Sequence, residues 1–223
     1  MRLGAAVLAG TMLLAAAPAH ADQGSADGIS VTIDDVVLNG YSCTTTAVTV
    51  RADVPDWAGW TVAVVGGPAG QGRLDAVFFA GRGPASSTAS LLICPADSVG
   101  PWTATVDTRV VLTQSQFTVG FTVDQVSTTT AIDTALLKAS SVRVRGSVRG
   151  DGGVRPRGPV AISGLRNGTW RALGHTYPRP SGTFRFVAPR NVTRVRAEYG
   201  GDTVTEKSQA RARVERISTS SSS

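Results

Sequence analysis

From residue 28 onward, apolar and polar side chains alternate in short runs, and glycine, proline, asparagine or aspartate separates one run from the next. A period of two residues is typical of β-strands that bury one face, because successive side chains point to opposite sides of a sheet. No segment of helical period and useful length follows residue 21. The pattern therefore predicts an all-β chain.

The runs fall into two groups of seven. The first group comprises residues 29–38, 43–54, 60–65, 74–80, 87–94, 102–112 and 117–123. The second comprises residues 128–134, 142–149, 160–165, 170–176, 182–187, 192–199 and 209–217. Seven short strands in about 95 residues is the count of an immunoglobulin-type sandwich. We therefore predict two tandem immunoglobulin-like β-sandwiches, over residues 28–124 and 128–217, followed by a disordered tail at 218–223.

Alternation also assigns faces and turns. An Asn-Gly pair at Asn167 and Gly168 predicts a tight hairpin in the second group. The residues expected to point into the first core are Val48, Val50, Trp60, Val62, Val64, Leu91 and Ile93 or their neighbours, Trp102, Ala104 and Val106.

The N-terminus has the pattern of a secretory signal peptide. Arg2 precedes an apolar run over about residues 3–17, and Pro18 is followed by the small-x-small sequence Ala19-His20-Ala21. A membrane anchor is the competing interpretation, but the run is shorter than the roughly 20 residues of a spanning helix. We expect residues 1–21 to be removed after Ala21. The C-terminus has no apolar anchor, so we expect a secreted protein, with association to the cell wall as an open possibility.

Two cysteines, Cys43 and Cys94, remain after that cleavage. An even count in an exported chain favours a disulfide over two free buried thiols. The cysteines lie at the start of the second predicted strand and the end of the fifth. These strands are antiparallel neighbours in an immunoglobulin-type sheet, so the bond is feasible. Closing this loop would stabilise the fold by about 4 kcal/mol in the loop-entropy treatment.

Charge divides the two halves. Residues 22–124 carry four arginines and ten acidic residues, a net charge of −6. Residues 125–223 carry seventeen basic and six acidic residues, a net charge of +11. The difference indicates two domains with different surfaces.

Arginines alternate with apolar residues along the strands of the basic half, which places them on the outer faces of the sandwich. One outer face is expected to hold Arg143, Arg145 and Arg185, with Arg149 on the same side of its strand, and the other Arg194, Arg196, Arg211 and Arg213. Such a surface attracts polyanions, and the candidates are teichoic acids, phospholipid headgroups and extracellular nucleic acid. A solvated sheet face rich in arginine through codon bias is the alternative. Sequence-specific nucleic-acid recognition is not expected, because no recognition motif is present.

Catalytic chemistry has little support. His175 is the one histidine after the predicted cleavage point, and no Gly-x-Ser-x-Gly elbow accompanies it. One histidine and two paired cysteines do not make a typical zinc site, and no calcium loop of the Asp-x-Asp-x-Asp-Gly type occurs. We expect no enzyme activity, no cofactor and no metal. The oligomeric state is left open.

Asp56 and Trp57 form a candidate ligand loop in the acidic half. An exposed Trp57 would offer a stacking platform for a sugar, although we expect this ring to fold back onto the core. A carbohydrate- or small-ligand-binding module and a protease inhibitor are therefore the alternatives to an interaction protein.

Four segments of the second half carry a family resemblance, residues 142–148, 168–173, 181–186 and 196–202. They resemble the bacterial Ig-like repeat of secreted actinobacterial proteins, and residues 100–106 resemble the sixth strand of the first domain in a group of small secreted proteins of those bacteria. The resemblance covers most of residues 28–217. It implies a signal peptide and two Ig-like domains, the first with one disulfide, and it implies no catalytic residues. The function predicted is that of a secreted, non-enzymatic interaction protein, extracellular or associated with the cell envelope, that contacts an anionic polymer.

Overall fold

The computed structural model describes residues 21–70, 74–138 and 140–216. The predicted signal peptide up to residue 20, the last residue of the strand predicted at 209–217 and the predicted tail at 218–223 lie outside these ranges. Within them the chain is built from strands, with one short 3-10 turn at Asp151–Gly153 and no α-helix. The all-β prediction is confirmed.

Nine strands make up the first half of the structure. They are β1 (Ala21–Ala26), β2 (Ile29–Asp34), β3 (Val36–Val37), β4 (Thr44–Ala52), β5 (Gly59–Pro68), β6 (Asp75–Arg82), β7 (Ala85–Ile93), β8 (Gly100–Val110) and β9 (Thr113–Asp124). Sheet I has the order β1-β2-β4-β7, and sheet II has the order β3-β9-β8-β5-β6. The inward residues of both sheets form one apolar cluster around Trp60 and Trp102. All ten core positions assigned by alternation are buried there.

Eight strands make up the second half. They are β10 (Thr128–Lys138), β11 (Ser141–Gly150), β12 (Val160–Arg166), β13 (Thr169–Thr176), β14 (Thr183–Pro189), β15 (Arg194–Tyr199), β16 (Ser208–Arg213) and β17 (Glu215–Arg216). Sheet III has the order β14-β11-β10-β17, and sheet IV has the order β13-β12-β15-β16. Their inward residues form a second apolar cluster around Phe184 and Tyr199. Two face-to-face pairs of sheets thus give two immunoglobulin-like sandwiches.

The predicted hairpin is present between β12 and β13. Asn167 and Gly168 both have positive φ, at 47° and 79°, as a two-residue turn of the twist-matching kind requires. Arg166 pairs with Thr169 across it. The hairpin orients β13, which carries Trp170, along the edge of sheet IV.

The disulfide is formed as predicted. Cys43 precedes β4, Cys94 follows β7, and the adjoining residues Thr44 and Ile93 are register partners in sheet I. The two Cα atoms are 4.0 Å apart. The backbone N–H of Cys94 donates to Asp97 Oδ2 at 2.6 Å, which fixes the turn after β7. The bond therefore joins two neighbouring strands of one sheet rather than linking the two sheets.

One strand was not predicted: β1, which pairs with β2 at the edge of sheet I. The strands predicted at 29–38 and 209–217 each divide in two, because β3 pairs in parallel with β9 of sheet II and β17 pairs in parallel with β10 of sheet III. In addition, β10 runs to Lys138 instead of ending at residue 134, because a bulge between Ile132 and Thr134 resets its register against β11. Alternation did not reveal these features, because β1 has no large apolar residue, because two-residue strands are too short to show that the chain has changed sheets, and because a bulge breaks the period.

Close packing around Trp60 requires a glycine on the neighbouring strand. Trp60 pairs with Gly81 of β6, and the indole N–H donates to the carbonyl oxygen of Gly83 at 3.0 Å. A Cβ atom placed on Gly81 would lie 2.4 Å from Cζ2 of Trp60. The indole therefore lies flat across a strand position that only glycine can occupy without displacing the ring.

We expect Gly81→Ala to lower the free energy of unfolding by about 1–3 kcal/mol, because the ring of Trp60 must move out of a packed core. Gly59→Ala on the adjoining strand is the matched control. A Cβ there meets no atom within 4 Å, so its effect should stay within about 0.5 kcal/mol. Urea unfolding followed by tryptophan fluorescence measures both. Equal stability of the two variants would contradict this account of the packing.

The two sandwiches meet at a hydrogen-bonded carboxylate. Asp202, after β15, accepts the phenol O–H of Tyr41 from the first sandwich at 2.6 Å and that of Tyr199 at 2.8 Å, both on Oδ2. The backbone N–H of Arg157 also donates to Oδ2 at 3.0 Å. Oδ1 accepts the backbone N–H groups of Val204 and Thr205, each at 2.9 Å. One side chain thus joins a loop of the first sandwich to three segments of the second.

Apolar and π contacts extend this junction. The guanidinium carbon of Arg157 lies 3.9 Å from the centroid of the Tyr41 ring. Val126 of the connecting segment and Val204 are buried and belong to the core cluster of the first sandwich. They are joined by a hydrogen bond from the Val126 N–H to the Val204 carbonyl at 2.8 Å. The first core therefore includes a residue from the loop after β15.

Burial alone would raise the pKa of Asp202, but the hydrogen bonds from Tyr41 and from the Arg157, Val204 and Thr205 groups outweigh it and hold the pKa well below its usual range. Burial raises the pKa of Tyr41 far above its ordinary value, and the hydrogen bond to Asp202 and the charge of that carboxylate raise it further. Tyr41 is therefore a neutral donor, and Asp202 is an ionised acceptor, throughout the neutral pH range.

We expect Tyr41→Phe to lower the free energy of unfolding at pH 7 by about 1–2 kcal/mol, because it removes one donor to a charged acceptor. Tyr177→Phe is the control, since the structure gives the exposed Tyr177 hydroxyl no hydrogen-bond partner among the described residues. Chemical unfolding measures both, and equal effects of the two substitutions would contradict the assigned role of Tyr41.

The pH dependence of stability provides a second test. The pKa of Asp202 is lower in the folded than in the unfolded protein. The ionised carboxylate therefore contributes to the free energy of unfolding above about pH 4, the usual pKa of an aspartate. This contribution is lost as the pH falls toward the folded-state pKa. Asp202→Asn should be less stable than the wild type at pH 7, and the difference should shrink below pH 4. A difference that stays constant over this range would contradict the argument.

Candidate functional site

Four arginines lie together on the outer face of sheet IV. Alternation along β15 and β16 turns Val195, Ala197 and Tyr199 into the core, which leaves the arginines on the opposite side. In the register of these strands Arg194 is directly opposite Arg213, and Arg196 is directly opposite Arg211. We call this surface, made by Arg194, Arg196, Arg211, Arg213 and Trp170, the basic face.

Two like-charged pairs are therefore stacked on neighbouring strands. Directly opposite residues have Cα atoms about 5 Å apart, and positions two residues apart along a strand are about 7 Å apart. Like charges in directly opposite positions destabilise a sheet. The register thus places four guanidinium groups in a small area, and in each of the two cross-strand pairs an arginine lies opposite another arginine rather than a neutral or acidic residue.

Trp170 of β13 provides the aromatic part of the basic face. The guanidinium carbon of Arg196 lies 5.2 Å, and that of Arg211 6.0 Å, from the centroid of the indole ring. Both distances are within the range of a cation–π interaction. The ring is half-buried, so one edge stays open to solvent. Trp170 therefore places the guanidinium groups of Arg196 and Arg211 next to one aromatic ring.

Glu198 is the one acidic residue of β15. Its Oε2 lies 3.2 Å from Nε of Arg196. The angle is not that of a hydrogen bond, and Arg196 Nε is buried with no hydrogen-bond partner among the residues that the structure describes. Four positive charges and one negative charge leave the face strongly cationic.

Sheet III carries the second set of arginines predicted from the sequence. Arg145 of β11 is directly opposite Arg185 of β14, and Arg143 is opposite the exposed Val187. Arg149 is exposed near the end of β11. These positions agree with the expected division between two outer faces. The two sets lie on opposite sides of a packed sandwich whose sheets are about 10 Å apart, so one short segment of a ligand contacts only one set.

The expectation for Trp57 was wrong. The ring is 66% exposed in the turn between β4 and β5 and does not fold back onto the core. The adjacent residue, Ala58, is the one whose side chain is buried there. Nε of Arg82 donates to the Trp57 carbonyl oxygen at 3.3 Å, which anchors this turn to the end of β6. Asp56 is also exposed. The ligand loop considered from the sequence is therefore accessible.

His175 lies on the exposed side of β13, and its ring meets that of Tyr177 edge to face at a centroid distance of 5.8 Å. Within residues 21–70, 74–138 and 140–216, no three His, Cys, Asp or Glu side chains come together as a metal site. In the same ranges no helix is long and apolar enough to cross a membrane.

Sequence reasoning found the arginines of the basic face but missed Trp170 as their partner. Its strand was predicted. Trp170 is three residues before the inward Leu173, so strict alternation would place Trp170 on the outer face, but this inference holds only for a strand of regular register. A shift between Ile162 and Ser163 interrupts the register of β12 against β13. The contact with Arg196 and Arg211 depends on the strand order of sheet IV, which no local pattern contains.

No protein-family model matches this chain, and no curated protein matches it either. Among solved structures it is similar to red sea bream transglutaminase, with a TM-score of 0.46 and 9% identity over 86% of this chain and 32% of that one. It is also similar to a tetra-tandem repeat in the extending region of a large adhesion protein, with a TM-score of 0.37 and 15% identity over 80% of this chain and 46% of that one. The chain thus spans less than half the length of each, and the likeness concerns the fold alone.

Proposed function

We propose that this protein is a secreted, non-enzymatic interaction protein whose second sandwich binds an anionic phosphodiester polymer of the cell envelope through the basic face. The observation that carries the proposal is the pairing of Arg194 with Arg213 and of Arg196 with Arg211 on one sheet. An anionic group between two opposed guanidinium groups accepts hydrogen bonds from both and removes their repulsion.

The spacing of the pairs favours a polymer over a single anion. The two arginine pairs follow one another along the strands at about 7 Å. An extended chain with anionic groups at a similar repeat can place consecutive groups on consecutive pairs. Guanidinium groups suit this role, because their planar donors match phosphate oxygens in a bidentate manner.

Trp170 prepares the site for binding. A long arginine side chain loses rotamer freedom when it binds, and a stacked ring restricts that freedom in advance. The ring also screens one side of the guanidinium groups from water, which strengthens their electrostatic interactions. Sheet III has an opposed Arg145–Arg185 pair but no aromatic ring in cation–π contact with either arginine among the described residues.

Sheets III and IV both have opposed arginines, but only those of sheet IV contact an aromatic ring among the described residues, so substitutions on the two sheets form a matched pair. We expect R196Q/R211Q to weaken binding to poly(glycerol phosphate) at least about tenfold at low salt. The slope of the logarithm of the binding constant against the logarithm of the salt concentration should fall by about 1.4, because two arginine–phosphate contacts are lost and each releases about 0.7 counterions. R145Q/R185Q removes the same charge from an equivalent cross-strand pair on sheet III, and we expect it to weaken binding less than about threefold.

Isothermal titration calorimetry of the full chain at several salt concentrations measures these quantities. Equal losses in the two double variants would show that net charge alone attracts the polymer and would overturn the assignment to the basic face. Single-stranded DNA and phosphatidylglycerol vesicles serve as further phosphodiester probes. Binding to vesicles without binding to poly(glycerol phosphate) would replace the polymer by a lipid surface.

Trp170 allows a test at constant charge. We expect Trp170→Leu to weaken polymer binding about two- to fivefold, the range of an exposed cation–π interaction, and Trp170→Phe to weaken it less. Trp57→Leu removes an exposed indole from the first sandwich and should leave the affinity unchanged. A loss of affinity upon Trp57→Leu, or none upon Trp170→Leu, would contradict the arrangement proposed for the basic face.

A further inference from the structure

The outer face of sheet II contains a depression of about 520 Å³ in the acidic sandwich. It is far from the arginine pairs in sequence and belongs to a different sheet. The outward side chains that line it include Thr61, Ala63, Phe78, Asp107, Arg109 and Gln114. Its volume is in the range of pockets that hold small ligands.

Strand register fixes the shape of this depression. In one row across the sheet, Phe78 of β6 is opposite Ala63 of β5, which is opposite Asp107 of β8. In the next row, Ala80 is opposite Thr61, which is opposite Arg109. Small side chains on β5 therefore form a floor between a wall on β6 and a wall on β8. Strands two positions apart are separated by about 9–10 Å, which admits one six-membered ring.

The two walls differ in chemistry. Phe78 is 75% exposed, which leaves a large aromatic surface without a partner in the described part of the chain. Asp107, Arg109 and Gln114 face it with acceptors and donors. The Gln116 amide donates to Oδ1 of Asp107 at 2.6 Å, so the carboxylate is held in place while Oδ2 accepts no hydrogen bond from the described residues.

Charge distinguishes this depression from the basic face. One carboxylate, Asp107, and one guanidinium group, Arg109, cancel, so the site has no net charge to attract a polyanion. The complementary ligand is neutral, has an apolar face for Phe78 and carries hydroxyl groups at its rim. A pyranose ring has this distribution, because its C–H groups lie on the faces and its hydroxyls on the edge.

We propose that the depression on sheet II binds a ring of a neutral saccharide. Phe78 packs on the C–H face, Asp107 Oδ2 accepts from one hydroxyl, and Arg109 and Gln114 hydrogen-bond to neighbouring hydroxyls. Arg82 lies outward on β6 beyond Ala80, and its contact with the Trp57 carbonyl places the exposed Trp57 turn at the end of the same face. A longer saccharide thus extends from Phe78 toward Trp57. The site is separate from the basic face, and it does not depend on the function proposed for that face.

The test is an NMR titration of the full isotope-labelled chain with cellohexaose, whose equatorial hydroxyls leave both ring faces apolar, and with maltohexaose and chitohexaose in parallel. We expect saturable shifts of the backbone amides of Thr61, Ala63, Asp107 and Arg109 with at least one of the three. Phe78→Ala should weaken that binding about tenfold or more. Asp107→Asn, which keeps the shape of the side chain, should weaken it severalfold.

Tyr177→Ala is the matched control, because it removes an exposed ring from the second sandwich and should leave saccharide binding unchanged. R196Q/R211Q should also bind the saccharide normally, so a failure of one proposal is distinguishable from a failure of the other. Absence of shifts on sheet II with all three saccharides would overturn the inference, as would shifts that Phe78→Ala leaves unaltered. Shifts of the same amides upon raising the protein concentration alone would instead assign the face to a second copy of the chain.

Discussion

The arrangement of the two sandwiches depends on the ionised carboxylate of Asp202. It accepts five hydrogen bonds, from two phenols and three backbone amides, and one of the phenols, Tyr41, belongs to the other sandwich. A partly buried charge is stable only when its oxygens are satisfied, and here backbone amides supply most of the donors at fixed positions. Because the Asp202 loop also contributes Val204 to the first core, moving one sandwich against the other would disturb both the charge and the apolar contact. The basic face and the depression on sheet II are therefore carried by units that are joined through a polar network.

The two candidate surfaces lie on outer sheet faces, whose residues do not contribute to a core. Their side-chain chemistry can therefore differ even though the inner faces of both sheets are apolar. On sheet IV, the outward positions of β15 and β16 carry four arginines against one acidic residue, Glu198, which suits an anionic partner. On sheet II, the positions that alternate with Val62, Val64 and Val106 carry small, aromatic and mixed polar groups, which suit a neutral one. The same backbone geometry thus presents two different chemistries, and the net charges of −6 and +11 of the two halves reflect that division.

Period-two alternation was sufficient to predict most of the strands, the inward residues of the first core and the division of the arginines between two outer faces, and the even number of cysteines was sufficient to predict the disulfide. It was insufficient wherever a contact depends on strand order or on distant segments. Tyr41 and Asp202 are 161 residues apart, and neither stands in a strand pattern. Phe78 was not singled out because residues 74–80 are apolar on both faces, so alternation gives no direction there. Trp57 was expected in the core on the general tendency of large aromatics to be buried, but Ala58 and Trp60 already fill the space beside its turn.

A bias in codon usage would make arginine abundant in the basic half, but it would not determine which arginines lie opposite one another. A face that only needs to be solvated gains nothing from placing like charges directly opposite each other, since a polar or acidic partner at one of the two positions would remove the repulsion. The chain uses this solution elsewhere: Glu198 is opposite Gln209, and Asp107 is opposite Gln116, with which it forms a hydrogen bond. Arg145 and Arg185 on sheet III are also directly opposed, but sheet IV differs in having two consecutive arginine pairs and an indole in cation–π contact with two of the four guanidinium groups. An anionic ligand bound between the opposed guanidinium groups would offset their repulsion, and with such a ligand this arrangement of arginines becomes stabilising.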